Sequence, residues 1–143
     1  MLGMVDLDLA ERMVRAACDA ASAKGCLVSA AAVDGGGHLL AFRRMDGAEF
    51  AGASIAVDKA YTSAGNRIAT LDLREQVAPG GDLAGYYAAS GGRFIAFGGG
   101  VPLWYDGRVT GALGVSGASG AEDHAFATAG AAIWLEAGGA LDG

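Results

Sequence analysis

The chain has 143 residues, of which 52% are hydrophobic and 18% charged, and a net charge of -6. This length suits one domain, 1–143, whose core needs neither a disulfide nor a structural metal. The negative charge argues against a nucleic-acid partner, and no run reaches the ~18 apolar residues of a membrane span. The first residues lack the basic start and apolar stretch of a signal peptide, so we expect a cytoplasmic protein.

The first half of the chain predicts a helix, a hairpin and a second helix. The first helix is predicted from a cap at Asp6 to about Lys24. Leu27–Asp34 and His38–Met45 are predicted to be strands, because a glycine-rich turn separates two apolar stretches. The second helix is predicted near Gly52–Arg67.

The second half predicts short helices, a run of strands and a last helix. Thr70–Ser90 is predicted to form two short helices broken at Pro79–Gly81. The expected strands are Phe94–Phe97, Val101–Tyr105 and Arg108–Ser116. Ser119 opens a capping-box pattern for a helix through Ala137. These elements indicate an α+β domain with a mainly antiparallel sheet and helices packed on it.

Several short motifs resemble those of one known family. They occur in order over nearly the whole chain, at Val33–His38, Met45–Gly47, Ala56–Thr62, Phe97–Leu103, Asp106–Gly107, Gly111–Gly117 and Glu122–Asp123. They look like the VD-x-G-G, MDG, DKAYT, GG-x-P and G-x-GVSG signatures of the GlcG/HbpS family, also called the haem-degrading-domain or PduO C-terminal-domain family.

The resemblance carries expectations for fold, ligand and assembly. It implies a profilin-like fold with a five-stranded antiparallel sheet flanked by helices. It also implies a small-molecule ligand, with haem the favoured one, and a homo-oligomer from a dimer up to an octamer. Family members include GlcG proteins, haem-binding sensor components and the C-terminal domain of PduO-type adenosyltransferases, so the shared motifs do not fix one reaction.

Lys59 is the first candidate functional side chain. It lies on the second predicted helix in a polar stripe with Thr62 and Asn66. An ammonium group there could bind a carboxylate or a haem propionate, or act as a base or Schiff-base amine if it is desolvated. The alternative is an ion pair with Asp46 or Asp58 that holds the helix in place.

Histidine and arginine offer further candidates. His38 begins the second strand and is a candidate haem-iron ligand or acid–base group, although an exposed position is the commoner role for a lone histidine. His124 is expected to occupy an exposed position in the first turn of the last helix. Arg67 is a candidate partner for an anionic group of the ligand.

A glycine-rich loop is the last candidate site. Gly98, Gly99, Gly100 and Pro102 link two predicted strands. Exposed backbone N–H groups in such a loop could bind an anion or line a flat ligand. The alternative is a crossover whose backbone dihedral angles demand glycine.

Three functional hypotheses follow from these residues and the resemblance. The first is a small-ligand-binding protein with haem as its ligand. The second is an enzyme acting on a small oxo- or hydroxy-acid or an aromatic metabolite, with Lys59 as base or electrophile and His38 as proton donor. The third is an oligomeric accessory protein. The sequence leaves open whether the protein is an enzyme.

Overall fold

A computed structural model describes residues 3–143. The helices are α1 (Leu7–Ala23), α2 (Phe50–Asn66), α3 (Thr70–Val77) and α4 (Gly120–Glu136), and the strands are β1 (Ser29–Asp34), β2 (Leu39–Arg44), β3 (Gly100–Tyr105) and β4 (Arg108–Ser116). Two single-turn 3-10 helices follow α3, at Tyr86–Ala88 and Ser90–Gly92. None of the helices between residues 3 and 143 is long and apolar enough to cross a membrane.

The sheet has four strands in the order β2-β1-β4-β3, and every neighbouring pair is antiparallel. The α+β class is therefore confirmed, but the expectation of five strands is wrong. The strand predicted at Phe94–Phe97 does not form, because its backbone bonds to helix side chains instead of a strand. The Ile95 N–H donates to Thr62 Oγ1 at 2.9 Å, and the Phe97 carbonyl accepts from Thr70 Oγ1 at 2.7 Å.

Helices cover both faces of this sheet. Leu113 and Val115 of β4 pack into the main core with α1 and α4, whereas Ala112 packs against α2. Gly114 lies on the α2 face, where a Cβ atom would stand 2.0 Å from the Ala56 carbonyl oxygen. Only glycine therefore allows α2 to approach the sheet this closely, and this approach fixes the position of the α2 side chains.

Both predicted helix caps are present. Asp6 Oδ1 accepts the Leu9 N–H at 2.8 Å and begins α1. At α4, Ser119 Oγ accepts the Glu122 N–H, and Glu122 Oε1 accepts the Ser119 N–H. The capping box fixes where α4 begins, and it thereby places the first turn of α4 beside β3 and the chain that precedes it.

Candidate functional site

A cleft of about 450 Å³ lies between α3, β3, the start of α4 and the last residues of the chain. Its volume falls within the usual range for small-molecule sites. The lining residues are Arg67, Ile68, Ala69, Asp72, Val101, Pro102, Trp104, His124, Thr128, Leu141, Asp142 and Gly143. Two residues that the sequence analysis selected for ligand binding, Arg67 and Pro102, are among them.

Arg67 reaches the cleft because α2 ends there in a left-handed turn. Its backbone has φ 57° and ψ 40°, and its N–H donates to the Ser63 carbonyl oxygen. This conformation is uncommon for a residue other than glycine. It turns the chain from α2 toward α3 and leaves the Arg67 side chain exposed at the cleft. Within residues 3–143 the guanidinium group forms no ion pair, so it is available to an anionic ligand.

His124 stands in the first turn of α4 and is half-buried in the cleft wall, not exposed as expected. The capping box and the burial of Asp123, its neighbour in the chain, fix this part of the helix. The Nδ1 atom of His124 is buried and has no hydrogen-bond partner among residues 3–143. Because Nδ1 is buried, a ligand in the cleft would meet the imidazole at its other nitrogen, Nε2, and His124 is a candidate ligand contact through that atom.

The cleft residues fit a haem group in three respects. Trp104, Pro102 and other apolar residues provide a wall for a flat hydrophobic ring system. His124 provides an imidazole, which is a common axial ligand of haem iron. Arg67 provides a cation for a propionate. Asp72 and Asp142 also line the cleft and would repel a carboxylate, so the propionate would lie on the Arg67 side.

Lys59 lies in the protein interior and is only 1% exposed. Its Nζ donates to the Val115 carbonyl oxygen at 2.9 Å and forms an ion pair with Asp123 Oδ2 at 3.1 Å. The partner is therefore neither Asp46 nor Asp58, the two acids that the sequence suggested. Burial lowers the pKa of the Lys59 ammonium, and the Asp123 carboxylate opposes that change. The role of Lys59 as a ligand-binding or catalytic group stays a prediction, and its ammonium already has two protein partners.

Asp123 is the main residue to which the sequence analysis gave no role, although it named the residue within a family motif. It is 2% exposed, and its Oδ1 accepts the Ala118 N–H at 2.9 Å while its Oδ2 faces Lys59. It ties the start of α4 to α2 across the end of β4. The sequence offered two signals: Asp123 belongs to the Glu122–Asp123 motif, and it follows directly after the capping-box glutamate on a helix that must pack on the sheet.

Gly98, Gly99 and Gly100 are buried and do not line the cleft. Gly99 has φ 136°, and a Cβ atom on it would stand 2.8 Å from Lys59 Nζ. The Gly100 N–H donates to Thr70 Oγ1, and the Gly99 carbonyl accepts the Val115 N–H. These contacts show a crossover packed tightly against its neighbours, while the ligand-binding role of the three glycines stays a prediction.

Thr62 and Asn66 hold a loop on the surface of α2. Thr62 Oγ1 donates to the Asp58 carbonyl oxygen and accepts the Ile95 N–H. Asn66 Nδ2 donates to the Thr62 carbonyl oxygen, and Asn66 Oδ1 accepts from the Tyr86 hydroxyl. Their predicted contact with a ligand stays untested, but both side chains already have protein partners.

His38 lies at the β1–β2 hairpin and is not among the residues that line the cleft. Its side chain is 82% exposed, and its Nδ1 is 3.3 Å from Asp34 Oδ1. Asp34 Oδ1 also accepts the N–H groups of Gly36 and His38, so this carboxylate organises the turn. Ligation of haem iron by His38 stays a prediction, and the exposed position matches the alternative stated for it.

The sequence matches the model of one known protein family. The model of the family described as "Haem degrading protein HbpS-like" matches residues 5–132. The chain belongs to the HbpS-like family. The resemblance found in the sequence motifs is thereby confirmed.

Three relatives show the extent of the similarity. The crystal structure of Klebsiella pneumoniae protein ORFY superposes with a TM-score of 0.90 at 30% identity, covering 94% of this chain and 93% of that one. The crystal structure of a PduOC–haem complex has a TM-score of 0.82 at 34% identity, covering 85% and 88%. Protein GlcG of Escherichia coli K12 is 37% identical over 76% of this chain and 78% of its own length.

Proposed function

We propose that this protein binds haem in the cleft between α3, β3 and the start of α4. The observation that carries the proposal is the half-buried His124, which lines the cleft in the first turn of α4. The same cleft presents the Arg67 guanidinium, which forms no ion pair within residues 3–143, and an apolar wall. The crystal structure of the PduOC–haem complex supports haem as the ligand, because that domain has the same fold and 34% identity to this chain.

Each cleft residue has a distinct role in this proposal. His124 would offer its Nε2 atom to the iron, because its Nδ1 is buried, and Arg67 would hold a propionate by charge-assisted hydrogen bonds. Trp104 and Pro102 would provide apolar surface for the ring. Bound haem supplies a redox-active iron centre, and the protein binds and orients it.

The geometry gives the competing catalytic role of Lys59 less support. A base or Schiff-base amine must reach its substrate, whereas the Lys59 ammonium is buried, paired with Asp123 and bonded to Val115. The residue also does not line the cleft. We therefore assign Lys59 to the support of α4 and leave ligand binding to Arg67 and His124.

We also propose that the protein assembles into a homo-oligomer, from a dimer up to an octamer. Large apolar side chains are exposed on β2 and at the start of α2, namely Leu39, Phe42 and Phe50. A contiguous exposed apolar patch marks an interaction surface, and we infer that these three side chains form one. Sedimentation velocity tests the proposal: replacing Phe50 with Ser lowers the assembly state if this surface is the interface, and a monomeric wild-type protein would contradict it.

Haemin titration with paired arginine variants tests the assignment of the cleft. Haemin that binds in the cleft quenches the fluorescence of Trp104 and gives a saturable Soret band. Arg67→Gln weakens binding by about tenfold, because a charge-assisted hydrogen bond is lost. The control is Arg108→Gln, which changes an exposed arginine at the β3–β4 turn outside the cleft. A non-saturating spectrum, or equal losses in the two variants, would contradict the proposal.

A further inference from the structure

A second pocket lies at the C-terminal end of α3 and shares no lining residue with the cleft. Its volume is about 250 Å³, and it is lined by Arg74, Val77, Ala78, Pro79, Tyr87, Phe94, Ile95, Ala96 and Phe97. Apart from the Arg74 guanidinium and the Tyr87 hydroxyl, every side chain in this list is apolar. Tyr87 and Phe97 are large, yet they are 55% and 48% exposed. An occupant that covered these two rings would remove apolar surface from water.

One wall of this second pocket is fastened to α2 by stacking and polar contacts. The Phe94 ring stacks on Tyr86 and Tyr61, with centroid distances of 4.7 and 5.8 Å. Thr62 Oγ1 accepts the Ile95 N–H at 2.9 Å. Thr62, which the sequence placed in a ligand-binding stripe, therefore helps to hold the pocket wall in shape.

A neighbouring ion pair reinforces the same wall. Arg93 Nε is 2.9 Å from Asp58 Oδ1, and the Arg93 guanidinium carbon is 3.7 Å from the centroid of the Tyr61 ring. Residues 78–97 include no buried side chain, so the hydrophobic core does not hold this segment. Specific contacts to α2 fix it instead, and they pre-form the pocket in the free protein.

The size and chemistry of the second pocket select one class of ligand. Pockets for drug-sized ligands run from about 300 to 1,000 Å³, so a volume of 250 Å³ suits a single ring. Aromatic side chains favour an aromatic ring as the occupant. Arg74 forms no ion pair within residues 3–143, and a guanidinium group matches the geometry of a carboxylate.

We propose that this pocket binds a monocyclic aromatic carboxylate, with Arg74 holding the carboxylate and Phe94 and Phe97 contacting the ring. This pocket and the haem cleft share no lining residue, so an experiment can refute either proposal without refuting the other. It also differs from an interface between two copies of the chain, which would cover Tyr87 and Phe97 without any small ligand.

Benzoate is the probe, and amide chemical shifts of the full-length protein are the readout. We expect saturable shifts at Val77 and at 94–97 with wild-type protein. Arg74→Gln weakens benzoate binding by about tenfold, which corresponds to about 1.4 kcal/mol. Arg108→Gln serves as the matched control and leaves benzoate affinity unchanged. Benzamide, which keeps the ring but lacks the charge, binds more weakly than benzoate to wild type and equally well to both variants.

Three results of the benzoate titration would overturn this proposal. They are shifts that do not saturate, shifts that arise at residues outside the pocket, and benzoate affinity that Arg74→Gln leaves intact. Sedimentation velocity provides the remaining test, because a dimer that dissociates on Phe97→Ser would assign the surface to a second copy. The affinity of Arg74→Gln for haemin must equal that of wild type. Equal affinities would show that the second pocket and the cleft are separate sites.

Discussion

The buried Lys59–Asp123 ion pair allows a quantitative prediction for stability. The two side chains are 1% and 2% exposed, and they join α2 to the start of α4. Lys59→Met removes the ammonium but leaves the Asp123 carboxylate buried without its counter-ion. Breaking a buried pair in this way costs about 3–5 kcal/mol, because the remaining charge stays uncompensated. That is a large part of the roughly 5–15 kcal/mol by which native domains are stable.

Urea unfolding followed by circular dichroism measures this loss. With a slope of about 2 kcal/mol per M, the midpoint of Lys59→Met should fall by about 1.5–2.5 M. Adding Asp123→Asn should restore much of the stability, because the amide removes the buried charge and its oxygen can still accept the Ala118 N–H. A midpoint for Lys59→Met close to that of wild type would refute the reasoning. So would a double variant whose loss equals the sum of the two single losses.

Two further predictions concern the sheet and the hairpin. Gly114→Ala should destabilise the protein by about 1–3 kcal/mol or more, because the new Cβ would clash with the Ala56 carbonyl oxygen. Gly65→Ala is its control and should be neutral or stabilising in urea, since its Cβ meets only one atom at 4.0 Å and alanine favours helix. At Asp34, burial raises the pKa, but hydrogen bonds from the backbone of His38 and Gly36 outweigh it and lower the pKa below 3.8. The free energy of unfolding of wild type should therefore exceed that of Asp34→Asn by its full amount above pH 3.8. This difference should shrink as the pH falls through the lower pKa of the folded state. A difference in unfolding free energy that does not vary with pH would contradict the prediction.

Local patterns in the sequence predicted most of the fold. The caps at Asp6 and Ser119 are present, and the hairpin turns separate the strands as expected. These features depend on residues within a few positions of each other, so their chemistry is visible in the sequence. The apolar run at 94–97 was misassigned because its backbone partners are the side chains of Thr62 and Thr70, about 30 residues away.

The candidate site was less visible in the sequence for the same reason. The partner of Lys59 lies 64 residues further along the chain, and only the packing of α4 on the sheet brings it near. Arg67 and Pro102 were selected from their residue types and the family motifs, and both line the cleft. His124 was expected to be exposed. The sequence could not show its partial burial, because the cleft around it is formed by Arg67 in its left-handed turn and by the final residues of the chain.

The most direct test of the proposed function compares the two histidines of the chain as ligands of haemin. Haemin is titrated into wild type, His124→Ala and His38→Ala, and the Soret band is followed to saturation. We predict one saturable site in wild type, a shifted and weakened Soret band in His124→Ala, and a wild-type spectrum in His38→Ala. Loss of the band in His38→Ala with an unchanged spectrum in His124→Ala would contradict the cleft as the haem site.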